Sequence, residues 1–185
     1  MPYYSEDELV EIGFKSVGVN VKISTKASLY DVDQIEIGDH SRIDDFCIVS
    51  GVVKIGRNVH ITPMCLVAGG EEGIFLSDFV TLAYGVKIFS QSDDYSGGSM
   101  VNSTVSKEFK NEKKEKVVVE KHSVVGAGST IMPGVLLSEG TAIGSMSLIL
   151  ESTAPWSIYV GIPGKRLKSR EKDILDIEKK LGVET

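Results

Sequence analysis

Residues 119–149 read VEKHSVVGAGSTIMPGVLLSEGTAIGSMSLI, and every sixth position from Val119 is aliphatic: Val119, Val125, Ile131, Leu137, Ile143 and Ile149. Gly126 and Gly144 directly follow two of them. A second block, Ile37, Ile43, Val49, Ile55, Ile61 and Val67, keeps the same step, with Gly38 and Gly56 following. With about half of positions apolar, one such run arises by chance on the order of once in sixty, so two runs on the same step are a signal. A helix repeats its face every 3.6 residues and a strand every 2, so neither alone gives a strict step of six. A coil of short flat rungs does, if each hexapeptide forms one side of a triangular prism and points its aliphatic residue inward. The next position then lies where space is tight and the chain turns, which favours Gly, Ala or Ser. Such a period predicts an all-β parallel β-helix, in which each coil is stable only when its neighbours cover it.

Outward from these blocks the beat weakens and breaks at definite places. It starts at Val17, Ile23 and Leu29, slips by two residues near Asp31 to Asp33, and becomes regular at Ile37. It breaks at Ala68 to Gly73, where glycine and charge mark a turn, and resumes at Leu76, Leu82 and Ile88. From Gln91 to Lys116 no aliphatic step survives, which predicts a long excursion loop, and such loops in compact repeats are usually either functional or disordered. Its closing Lys107-to-Lys116 run alternates lysine with glutamate and reads as a solvated stem. Ser5, with Glu8 three residues on and Gly13 beyond, predicts a capped N-terminal helix over 5–13 that plugs the first coil. Residues 169–182 read as an amphipathic helix with Ile174, Leu175, Ile177 and Leu181 on one side, stopped by Gly182. The expected organisation is one domain over 1–185, with the β-helix over 17–154 and its loop at 91–116.

Composition narrows the function classes. The net charge of −6 argues against a nucleic-acid surface. No apolar run has the length of a membrane span, and the acidic start is unlike a signal peptide, so a cytoplasmic location without membrane attachment is expected. Cys47 and Cys65 lie inside repeats and read as small buried thiols. The three histidines, His40, His60 and His122, show none of the pairing of a zinc site, and no metal is expected.

Val125-Gly-Ala-Gly-Ser129, Ile131-Met-Pro-Gly-Val135, Ile143-Gly-Ser-Met-Ser147 and Gly161-Ile-Pro-Gly-Lys165 resemble the hexapeptide-repeat acyltransferases. The likeness runs from about Val17 to Arg166. It is closest to the branch of galactoside, maltose and xenobiotic acetyltransferases and the sugar acetyltransferases of bacterial polysaccharide clusters. It implies a left-handed coil, a homotrimer and acetyl-CoA as co-substrate. It also implies that Gly126, Ala127, Gly128 and Ser145 line the groove for the pantetheine arm. Small residues there allow close approach, and the Gly126-to-Ser129 backbone is expected to supply an N–H to the thioester oxyanion. Lys165, Arg166 and Lys168 are the expected partners of the CoA phosphates. Glu151 stands where relatives often carry a further lysine.

The same resemblance puts a catalytic histidine in the excursion, and at its position this chain has Asp93. An alcohol needs a base to become nucleophilic, and an ordinary carboxylate is a poor one. Two routes remain: Asp94 next door and loop closure make Asp93 a stronger base, or the acceptor is an amine. A plain turn is the competing reading of Asp93-Asp94 before Ser96-Gly97-Gly98. His60, expected at a prism corner ahead of Ile61, is the reserve base. The run from Asp93 to Val105 looks like O-antigen acetyltransferases, some of which N-acetylate dTDP-linked 4-amino-4,6-dideoxyglucose. The expectation is therefore acetyl transfer to a nucleotide-linked amino sugar for surface lipopolysaccharide. A galactoside-type O-acetyltransferase and a non-catalytic structural β-helix are the alternatives.

Overall fold

The computed structural model describes residues 2–181. Six coils of three strands each form a parallel β-helix. The first coil is β1 (Ser16–Val17), β2 (Lys22–Ile23) and β3 (Ser28–Leu29); the second is β4 (Ile35–Ile37), β5 (Arg42–Ile43) and β6 (Ile48–Ser50). The third is β7 (Val53–Ile55), β8 (His60–Ile61) and β9 (Leu66–Ala68), and the fourth β10 (Ile74–Leu76), β11 (Thr81–Leu82) and β12 (Lys87–Phe89). After the excursion, which carries β13 (Gln91–Ser92) and β14 (Lys113–Lys114), the fifth coil is β15 (Val117–Val119), β16 (Val124–Val125) and β17 (Thr130–Ile131). The sixth is β18 (Leu136–Leu137), β19 (Ala142–Ile143) and β20 (Leu148–Ile149), followed by the hairpin β21 (Ser157–Val160) and β22 (Lys165–Ser169). The first strand of every coil builds one wall, the second strands with the hairpin build a second wall, and the third strands build the third.

Register explains the sixfold beat. Ile37 stands opposite Ile55 and Val119 opposite Leu137, 18 residues on in each case, so three hexapeptides make one coil. The aliphatic residues therefore stack in three inward columns, and all twelve members of the two blocks are at most 3 % exposed. Irregular spacings fall where the beat broke. Val17 pairs with Ile37, twenty residues on, because a 3-10 turn at Val32–Gln34 takes up two residues. Gly126 shows why a small residue follows the aliphatic one: a Cβ there would lie 2.5 Å from the Ser145 nitrogen of the coil above.

Both ends are closed. Helix α1 (Glu6–Ile12) has the expected capping box between Ser5 and Glu8, ends on Gly13 in the left-handed conformation, and buries Leu9 against the first coil. At the other end the structure corrects the expectation of a helix over 169–182. Ser169 still belongs to β22, helix α2 covers only Ile174–Lys180, and Gly182 lies outside the described residues. The expected apolar face packs only in part: Ile174 and Leu175 are half-buried, Ile177 is 55 % and Leu181 65 % exposed, and Glu178 is buried. The sequence around them is amphipathic, but the wall it meets offers charge partners in place of an apolar groove. Cys47 and Cys65 are free and buried, their thiols bonding the Thr62 and Ala83 carbonyls at 3.1 and 3.2 Å.

Candidate active site

The excursion leaves the third wall after β12 and returns to the first at β15. Its base is a short antiparallel ladder in which Gln91 pairs with Lys114 and Ser92 with Lys113. The charges of this stem are not simply solvated, as expected, because the Lys110 and Glu112 side chains are only 8 % and 14 % exposed and meet at 2.9 Å. The hydrogen bond from Lys110 holds the Glu112 carboxyl below the usual carboxylate range, and Lys114 bridges Glu112 to Glu71. Beside the stem lies a cleft of 330 Å³ lined by Ser50, Ala68, Gly70, Gln91, Ser92, Asp93, Ser103 and Glu112. That is the small end of the range for ligand pockets.

The two aspartates have different work. The Asp94 carboxylate accepts the Ser96 N–H at 2.8 Å and the Ser99 hydroxyl at 2.9 Å, so it builds the turn. The Ser96 backbone bond, more than any other contact, holds it below the usual range. Asp93 is half-buried on the cleft, and its carboxylate makes no hydrogen bond or ion pair with a described residue. Such a carboxylate is open to a ligand entering the cleft.

His60 lies on strand β8 and not at a corner. Its Nε2 meets the buried Asp44 at 2.9 Å, and Asp44 also accepts from Arg42 Nε at 2.6 Å and from the Tyr3 hydroxyl at 3.4 Å. This places His60 on the second wall, away from the corner that carries Asp93; one chain does not bring them together. Among the described residues no group of three or more His, Cys, Asp or Glu is placed to hold a metal, and no helix is long and apolar enough to cross a membrane.

Gly126, Ala127 and Gly128 form the corner between the second and third walls in the fifth coil, and Ser145 occupies the same corner one coil on. They stack through the Met146 N–H, which donates to the Ala127 carbonyl at 2.8 Å. Within the Gly126-to-Ser129 stretch the amides of Gly126, Gly128 and Ser129 are taken by the Ile143, Tyr84 and Gly126 carbonyls, whereas the Ala127 N–H, like that of Ser145, has no partner among the described residues. The β21–β22 hairpin continues this track: the Gly144 N–H donates to the Tyr159 carbonyl and Gly161 to the Ser147 hydroxyl oxygen, and Lys165 pairs with Val160. Lys165 and Lys168 are exposed and join no ion pair among the described residues. Arg166 instead staples the hairpin, with Nε on Ser157 Oγ at 3.0 Å and Nη2 on Ser169 Oγ at 2.9 Å.

Sequence reasoning missed Ser50, Ser103 and Glu112 in the cleft. Glu112 sits in an alternating charge run and the serines in unrelated segments, so no local pattern marks them. Asp93 and the Ala127/Ser145 track occupy opposite ends of the third wall. About six residues, part strand and part turn, separate those corners, so one chain does not bring the two together.

No protein-family model matches the chain. It is 41 % identical over 181 residues to the dTDP-4-amino-4,6-dideoxy-D-glucose acyltransferase of Escherichia coli, covering 96 % of this chain and 94 % of that protein. Among solved structures, AntD, an N-acyltransferase from Bacillus cereus in complex with dTDP and 3-hydroxybutyryl-CoA, superimposes with a TM-score of 0.96 at 43 % identity, covering 98 % of this chain and 97 % of that one. A variant of AntD in complex with dTDP-4-amino-4,6-dideoxyglucose and coenzyme A gives 0.96 at 44 % identity, covering 97 % of each chain. Identity at this level over nearly the whole length, on a β-helix with these corners, means that the chain belongs to the hexapeptide-repeat acyltransferases, alongside the dTDP-amino-sugar N-acyltransferases.

Proposed function

We propose that the protein transfers the acetyl group of acetyl-CoA to the amino group of a nucleotide-linked amino sugar of the dTDP-4-amino-4,6-dideoxyglucose type. The observation that carries this reading is the partnerless Asp93 carboxylate on the excursion's cleft, where a hydroxyl-directed relative would carry histidine. An amino sugar arrives largely as its ammonium form. Asp93 binds that ammonium; one proton is lost to solvent before the nitrogen can attack the thioester carbonyl, Asp93 takes the second as the C–N bond forms, and the C–S bond breaks with that proton passing to the leaving thiolate. The Ala127 N–H is the donor we assign to the carbonyl oxygen, and a preorganised donor acts where charge develops. Lys165 and Lys168 take the CoA phosphates, while Arg166 shapes the strand they stand on.

The same reading includes assembly and setting. Asp93 and the Ala127/Ser145 track lie at opposite ends of the third wall of one chain, so the halves of the site meet between copies, and a closed homotrimer satisfies this for every copy. The enzyme acts in the cytoplasm and supplies a modified sugar for lipopolysaccharide O-antigen assembly. The relatives that bind a dTDP-sugar and CoA support the substrate class.

CoA release followed with a thiol reagent, using dTDP-4-amino-4,6-dideoxyglucose and a simple galactoside as rival acceptors, tests the proposal. Turnover with the amino sugar alone is expected. Turnover with the galactoside alone would overturn it and move the base to His60, whose bond to Asp44 through Nε2 leaves Nδ1 for a hydroxyl proton.

A further inference from the structure

The segment after β22 turns back along the corner between the first and second walls as a strap. Three residues with positive φ stack at that corner, His122, Gly140 and Trp156, at 62°, 68° and 50°. Gly140 must be glycine for the stack to close, since a Cβ there would lie 2.5 Å from the Trp156 ring. The Arg170 N–H donates to the Trp156 carbonyl at 2.8 Å, and its Nη1 donates to the His122 and Gly140 carbonyls at 2.8 and 3.0 Å. Lys172 lies over the Trp156 ring at 5.6 Å. One residue of the strap is thus tied to the fifth coil, the sixth coil and the closing hairpin.

Helix α2 then fixes the far end of the strap by a single buried side chain. Glu178, 6 % exposed, sets its carboxylate 2.9 Å from His122 Nε2 and 2.7 Å from Lys121 Nζ. His122 is itself held flat against Phe79, ring centroids 5.4 Å apart. Seven residues are too few to hold a helix by themselves. An end cap serving stability alone would be glued by buried apolar residues, yet in α2 Ile177 is exposed, Ile174 and Leu175 are only half-buried, and the buried side chain is Glu178. A buried ion pair adds little net stability and is best attested as a device that sets register.

We propose that Glu178 is a positioning residue for coenzyme A: gripped by His122 and Lys121, it tensions the strap through Arg170 and so sets where β22 presents Lys168. This rests on the reading that Lys165 and Lys168 meet the CoA phosphates. Lys168 lies two residues before Arg170 and depends on the strap. Lys165 lies at the hairpin's turn, opposite Val160, and does not. Coupling should therefore be selective.

The test is steady-state kinetics on the full chain with acetyl-CoA and with S-acetylpantetheine, which lacks the nucleotide phosphates. Expected for E178Q is a rise in KM for acetyl-CoA of roughly fivefold to tenfold, with kcat held within about twofold and KM for S-acetylpantetheine unchanged. E178Q/K168A should be no worse than K168A, whereas E178Q/K165A should show the product of the single effects. R170K, which loses the double grip on the two carbonyls but keeps the charge, should copy E178Q and serves if E178Q folds poorly. Multiplicative effects with K168A, or an equal rise in KM for S-acetylpantetheine, would overturn the inference. If neither K165A nor K168A raises KM for acetyl-CoA, the phosphate reading itself fails, and the positioning claim falls with it.

Discussion

Replacing Asp93 and Asp94 in turn by asparagine separates chemistry from loop architecture. Asp93 makes no contact within the fold that asparagine would lose. Its stability effect should stay within about 0.5 kcal/mol, or roughly 1–2 °C in Tm for a chain of this length. Its effect on turnover should be large. Removing the charge from one side of a charge-assisted hydrogen bond to the substrate amine costs about 1.5–3 kcal/mol, which is roughly 10- to 150-fold in kcat/KM. Asp94 shows the opposite balance. Asparagine keeps one acceptor but weakens the bonds from Ser96 and Ser99 at 2.8 and 2.9 Å, so the turn loosens and the cost appears mainly in KM. Thiol-reagent kinetics on both variants, with thermal melts as the folding control, read the two effects separately. Wild-type turnover by the Asp93 variant would remove this residue from the mechanism. A greater loss of kcat at Asp94 than at Asp93 would reverse the assignment.

Other expectations follow from single positions. Gly126→Ala places a methyl 2.5 Å from the Ser145 nitrogen and 2.7 Å from the Ile143 carbonyl oxygen; the coils must part, costing about 1–3 kcal/mol in denaturant titration, and KM for acetyl-CoA should rise as the Ser145 N–H shifts. Ile131→Ala, in a fully buried column between Ile88 and Ile149, should cost about 2–5 kcal/mol by the same measurement without changing KM. The Asp94 carboxyl is held below its ordinary value of 3.8, so its share of loop order is full above that pH and is lost as pH falls through the lower folded value; limited proteolysis of the excursion should stay constant at neutral pH and accelerate only in strong acid. With an amine acceptor, kcat/KM should rise with pH and level off near the amine's own pKa, about 8 if the sugar's electronegative substituents lower it as the carbonyl lowers an α-amino group's.

The β-helix was legible because its cause is local and repeated. Each coil needs an aliphatic residue at each of its sides, so the periodicity of one chain records the register of three walls. The breaks were legible for the same reason: a two-residue slip in the beat is a 3-10 turn in the wall. Asp93 stood out through a resemblance whose histidine it replaces, not through any pattern of its own. Its distinction from Asp94 was invisible in sequence, because two adjacent carboxylates differ only in what the folded turn gives each of them to bind.

At the C-terminus the amphipathic pattern pointed to Ile174, Leu175, Ile177 and Leu181; the structure half-buries the first two, exposes the others and buries Glu178. Helical periodicity reports which residues share a face, but not whether the surface opposite is apolar or carries a histidine and a lysine. The coil, the corners and the excursion follow from spacing along one chain, and the basic closing segment was legible through its resemblance to the family. Only the tertiary structure decided which carboxylates lack a partner, that His60 is tied to Asp44, that Glu112 shares the Asp93 cleft, and that Glu178 reaches His122. Those facts depend on residues 16 to 56 positions apart meeting in space, and no periodicity in a chain encodes which partner a charged group will find.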